Sequence, residues 1–279
     1  MIPAFLMEPF LDMASSIWAM PRELWIDDSP NLEDIEHLKQ EAQGESRIDD
    51  KNLRSEMIEM WKRDEVILRV KVLPGRTRVV FLGTEDQWSQ IPWVVWARIF
   101  QAVGPVKNVL FYAHPRNRDY PEPGTPIGPS NINAGYSYIC DKKIVVIYRF
   151  EEATRVLLHE MLHTACFDKE KEVEDLEAYT EAWTEILLCA LLSKGKPTIF
   201  NQLWKKQCIW IEQQVMHLFT NWNVQGRSDY AWRYIVGKYE VLEKYGFILT
   251  VNSEENPNVG LRFTTPELDE AILKIESMQ

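Results

Sequence analysis

One run constrains the fold of this chain more than any other: Arg155-Val-Leu-Leu-His-Glu-Met-Leu-His-Thr164. On a helical wheel, Val156, Leu157, Leu158, Met161, Leu162 and Ala165 cover almost every direction, so the helix is expected to be buried on all sides. Inside that apolar shell sit two imidazoles and a carboxylate, each of which costs free energy to desolvate unless it is hydrogen-bonded or bound. His159 and His163 are four residues apart and share one helical face, so both can aim a nitrogen at a single ion. Glu160 is turned by about 100° from His159. It therefore reaches a water beside such an ion rather than the ion itself, which suits a general base. The plainer alternative is a pair of satisfied core histidines with Glu160 as an ion-pair partner. The chain has only five histidines, so a chance match to this spacing is uncommon.

The rest of the chain supplies what such a helix needs around it. With 279 residues, 46% of them hydrophobic, it can bury one large core or two lobes sharing an interface. A net charge of -11 disfavours nucleic acid and anionic membrane surfaces as partners. Cys140, Cys166, Cys189 and Cys208 lie far apart, with no Cys-x-x-Cys pair. They read as reduced core thiols of a cytosolic protein. Cys166 shares a helical face with both histidines, although packing explains it as well. Residues 1–20 are apolar in places but carry Glu8 and Asp12 and are broken by Pro3 and Pro9. They read as neither a signal peptide nor a membrane span.

Helical periodicity is expected over 32–43 and 51–62, and alternation predicts a hairpin over 65–73 and 76–82 with Pro74-Gly75 at its turn. Residues 85–103 have the spacing of a buried helix that Pro92 kinks or starts. A strand is expected at 107–113, an irregular proline-rich loop at 114–129, two strands at 132–140 and 143–148, and a helix opening near Glu151. From 172 onward the pattern is helical, over 172–192, 198–220, 228–245 and 266–277. This is an α+β order. The expected division is a helical cover over 1–64, an α+β half over 65–168 and a helical lobe over 169–279.

Zinc chemistry needs a third protein ligand beside an open position. No third histidine follows closely, but the next helix carries Glu174, Glu177, Glu181 and Glu185 as one stripe. One of these carboxylates is the candidate, and a solvated acidic face is the alternative for the stripe as a whole.

Over roughly residues 107–192 the chain resembles the gluzincins, zinc metallopeptidases whose His-Glu-x-x-His helix is completed by a glutamate from a following helix. That resemblance implies a zincin-like fold: a small mixed sheet with a backing helix and an active-site helix, then a mainly helical C-terminal lobe. It selects Glu181, eighteen residues after His163, as third ligand, with Glu177 as the competing choice. It also makes Glu185 a carboxylate that orients His159 or His163. The same resemblance places Asn133, Ala134, Gly135 and Tyr136 on an edge strand that pairs with an extended peptide. Oxyanion donors would come from the helical lobe, where Tyr230, Arg233, Tyr234 and His217 are candidates by location.

The activity so implied is hydrolysis of a peptide or protein substrate with Zn²⁺ and Glu160. The segment also resembles metallopeptidase-like proteins of large nucleocytoplasmic DNA viruses, which implies cytoplasmic or virion-associated residence. Two other readings fit the same residues: a catalytically silent zincin serving as a structural or interaction protein such as a virion component, and a zinc amidase or deamidase.

Overall fold

The computed structural model describes residues 4–44, 48–167, 173–248, 256 and 258–277. Its first half comprises helix α1 (Ala4–Ala19), strand β1 (Ile26–Asp28), helices α2 (Leu32–Gln43) and α3 (Leu53–Lys62), the hairpin β2 (Ile67–Leu73) and β3 (Thr77–Gly83), helices α4 (Glu85–Ser89) and α5 (Trp93–Val103), and strand β4 (Asn108–Tyr112). There follow helix α6 (Pro129–Ile132), strands β5 (Gly135–Ser137) and β6 (Ile144–Ile147), and helices α7 (Ala153–Thr164), α8 (Val173–Leu192), α9 (Pro197–Asn221), α10 (Gly237–Lys244) and α11 (Pro266–Ser277). A π-helical turn, Trp232–Val236, leads into α10. The fold is thus α+β. No described helix is long and apolar enough to cross a membrane.

The chain forms two compact, interleaved units. One, the sheet unit, is Arg22–Asn117 with Asn133–Phe167; the other, the helical unit, is Met1–Pro21, Arg118–Ile132 and Asp168–Gln279.

In the sheet unit the six strands are ordered β1-β2-β3-β4-β6-β5. β3, β4 and β6 run parallel, whereas β1, β2 and β5 run antiparallel to their neighbours. The parallel centre is covered on both faces, which is why β4 reads Asn-Val-Leu-Phe-Tyr with every residue buried. One face, through Val80, Leu82, Leu110, Tyr112, Val146 and Tyr148, packs on α2 and α3 by way of Leu38, Leu53 and Met57. The other meets the α4, α5 and α7 side: Phe81 packs on Trp88, and Trp96 on Phe111. A hydrogen bond from Trp96 Nε1 to Thr154 Oγ1 (3.0 Å) ties α5 to α7. Residues 22–64 are part of this unit, with Asn31 and Asp34 closing a capping box on α2.

Pro92 marks the start of α5 rather than a kink in it. The strand expected at 132–140 is only Gly135–Ser137, because α6 occupies its beginning.

In the helical unit α8 is the hub, in contact with α1, α9, α10, α11 and the π-helical turn. Helix α1, which the prolines hid at the sequence level, buries Met7, Leu11, Ala14 and Ile17 at helical spacing and leaves Pro9 exposed. The helix expected over 228–245 begins at Tyr230 and passes through the π-helical turn. A Cβ on Gly237 would lie 2.9 Å from Ala178 Cβ, so the glycine lets this segment approach α8.

Candidate metal centre

Every residue of α7 is buried, as its apolar wheel requires. Its two imidazoles converge: His159 Nε2 lies 3.0 Å from His163 Nε2, with ring centroids 4.7 Å apart and planes at 83°. Two nitrogens aimed at one point are what a chelating pair needs, and a single hydrogen bond between a donor and an acceptor tautomer satisfies the same geometry. His114 is occupied elsewhere: its Nδ1 accepts from the Arg116 amide (3.0 Å) and its Nε2 faces Glu56 (3.2 Å). Burial lowers its pKa.

Glu160 is held by a residue that sequence reasoning passed over. Ser137, on β5, places its Oγ 2.8 Å from Glu160 Oε2 and 3.0 Å from the Glu160 carbonyl oxygen. The period of two along a strand puts Ser137 on the same face as Gly135, and both face α7. Gly135 is needed there, because a Cβ would lie 2.6 Å from Val156 Cγ1 and 2.8 Å from the Val146 carbonyl oxygen.

Tyr136 points to the opposite face, where its hydroxyl bonds Arg54 Nη1 and Glu41 Oε2 (both 2.5 Å). Burial holds its phenol well above the ordinary tyrosine pKa. Of the other expected substrate-binding residues, Ala134 accepts a backbone bond from Tyr148 (2.7 Å) and Asn133 donates Nδ2 to the Ile48 carbonyl (3.4 Å). Among the described residues β5 is the sheet's edge and pairs only with β6. The 134/148 pair is hydrogen-bonded and 135/147 is the next in register, so the backbone groups of Gly135 and Ser137 point to the open side.

The helical unit carries the acidic stripe on α8. Glu181 and Glu185 are buried and Glu177 is half-buried, while the side chain of Glu174 lies outside the described residues. Both oxygens of Glu185 are engaged within this unit, Oε1 by Lys238 Nζ (3.0 Å) and Oε2 by Gln207 Nε2 (2.9 Å). Among the expected oxyanion donors, the hydroxyls of Tyr230 and Tyr234 face each other at 3.2 Å. Arg233 sits in the π-helical turn, with its Nε buried and lacking a hydrogen-bond partner among the described residues. His217 pairs with Asn221 through Nδ1 (3.1 Å).

Two of the four cysteines depart from expectation. Cys140 and Cys166 are exposed and bonded to each other, not reduced core thiols. α7 ends at Thr164 and Cys166 has a φ of 61°, so the seven-residue spacing from His159 no longer fixes its direction. Cys189 and Cys208 are free and buried, and burial raises both thiol pKa values.

No protein-family model, curated protein or solved structure matches the chain.

Proposed function

We propose that the chain is a zinc-dependent peptidase in which His159, His163 and a glutamate of α8 hold the ion and Glu160 is the general base. One observation carries the reading: on a helix buried along its whole length the two imidazoles converge, His159 Nε2 lying 3.0 Å from His163 Nε2, with Glu160 beside them. Two neutral imidazoles and a carboxylate form a donor set that zinc favours in hydrolytic sites. Glu181 is the third ligand on this reading, with Glu177, one helical turn earlier on α8, as the alternative. When bound, zinc supplies Lewis acidity to water and to a carbonyl.

The chain's own residues do the rest. Glu160 takes the proton of the attacking water and returns it to the leaving amine. The open edge of β5 holds an extended substrate by main-chain hydrogen bonds. On this reading the sheet unit is zincin-like, which agrees with its mixed sheet, antiparallel edge strand and adjoining His-Glu-x-x-His helix. The Cys140–Cys166 bond weighs against the reducing compartment that the cysteine spacing implied.

The test is metal analysis and peptide-library cleavage by the wild type and by Glu160→Gln. One zinc per chain in both, with cleavage by the wild type alone, is expected. Zinc without cleavage in either would overturn the peptidase. Glu181→Ala is expected to release most of the zinc, and retention there with loss in Glu177→Ala reassigns the ligand.

A further inference from the structure

We propose that Ser137 is a positioning residue that fixes the Glu160 carboxylate and ties it to the register of the bound substrate strand. The inference rests on Glu160 being the base. Glu160 is buried, at 5% exposure, and the terminal torsion of a glutamate is broad and roughly two-fold. A carboxylate left to itself therefore presents its lone pairs over a wide arc. The hydroxyl of Ser137, 2.8 Å from Oε2, narrows that arc through a charge-assisted hydrogen bond. The carbonyl oxygen of Glu160, at 3.0 Å, accepts from the same hydroxyl, so the serine is anchored to the backbone of α7 as well as to its side chain.

Ser137 stands where it does for a second reason. Its backbone N–H and C=O point to the open side of β5, away from β6. An extended peptide adding to that edge hydrogen-bonds the residue that also grips the base. Main-chain groups and hydroxyl of one residue are separated only by its own bonds, so a peptide seated in register is at a fixed offset from the Glu160 carboxylate. Ala134 and Tyr136, whose backbone groups turn inward to β6, have no such double role. Recognition of the extended main chain and orientation of the base are thereby joined in one side chain, which favours unfolded or extended segments as substrates over side-chain-selected folded ones.

The test separates this from a purely structural role. Ser137→Ala is expected to lower kcat by about ten- to a hundredfold, the usual loss when a partner orienting a metal-site group is removed. KM should stay within about twofold and zinc content should be unchanged. Ser137→Thr, which keeps the hydroxyl, is expected to restore most of kcat. A fall in KM and kcat together, or loss of zinc, would overturn the proposal, as would an alanine variant with unchanged kcat.

A second measurement needs no turnover. The infrared difference between wild type and Glu160→Gln isolates the Glu160 carboxylate stretch, and its position should shift in the Ser137→Ala background and return in Ser137→Thr. A band unmoved by Ser137→Ala would refute the positioning role whether or not the wild type cleaves peptides. Absence of cleavage by the wild type, with the band shifted as expected, would count against the peptidase alone.

Discussion

Glu185 and Lys238 form a fully buried ion pair in the helical unit, both 0% exposed. Burying two charges is costly, and the unit compensates them locally. Gln207 donates to Glu185 and to the Phe263 carbonyl (2.7 Å), and accepts from the Thr265 amide (3.0 Å). The Lys238 ammonium also lies 4.9 Å from the Phe263 ring centroid. Removing one charge takes a buried ionic partner from the other, so Lys238→Met should destabilise the chain by about 3–5 kcal/mol in urea unfolding. Replacing both, with Glu185→Leu added, should recover most of that loss, and a double variant no more stable than the single would sink this account. The glutamate stripe of α8 was legible in the sequence because its spacing is helical. The partner of Glu185 was not, because it lies 53 residues along the chain and a lysine on an isolated helical wheel reads as surface. Ser137 escaped for a related reason: the alternation of β5 gives its face, but only the packing of α7 against that face gives it a partner.

Among the elements, those with strong local signals were read to their ends. α2 and α11 span the residues that periodicity assigned, with Asn31 capping the first and Pro266 opening the second. β1 was not read, because its three residues are all exposed and become a strand only by pairing with β2. The disulfide was equally hidden, since the 26-residue separation of Cys140 and Cys166 says nothing about where α7 ends. That bond has a consequence for the proposed centre. The His163 carbonyl accepts from both the Cys140 amide (2.9 Å) and the Cys166 amide (3.1 Å), so the cross-link closes the turn following β5 onto the last turn of the histidine helix. In a chain-entropy account, a loop of this length contributes about 3.5 kcal/mol. Reduction, or Cys140→Ser, should therefore lower the unfolding free energy by about that amount and weaken zinc binding as the end of α7 frays. Calorimetry and zinc competition with and without reductant would measure both. Cys140→Ser made insensitive to reductant, with Cys189 and Cys208 intact, assigns the effect to this bond.

For the molecule as a whole, the chain passes between the two units at 21/22, 117/118, 132/133 and 167/168. Which unit a segment joins depends on long-range contacts, so a proline-rich stretch such as 114–129 announces irregular structure but not its allegiance. The sheet unit nonetheless closes on itself where the excursion leaves and returns. One guanidinium, that of Arg149, donates to the Asn117 carbonyl through Nη1 and to the Asn133 carbonyl through Nε, both at 2.9 Å. The two ends are therefore within the span of a few residues. A chain of 22–117 joined by a short Gly-Ser link to 133–167 holds the six strands, both covering layers and the core around Leu110 and Val146. At roughly 130 residues it is within the usual size of an independent domain. It should fold cooperatively, with mixed α and β circular dichroism and a single urea transition. It also keeps His159, Glu160 and His163 while lacking every carboxylate of α8. If the ion takes its third ligand from that helix, this shortened chain should bind zinc more weakly than the full chain in a chelator competition. Equal affinity in a folded sheet unit would place all the ligands within it and remove α8 from the metal centre.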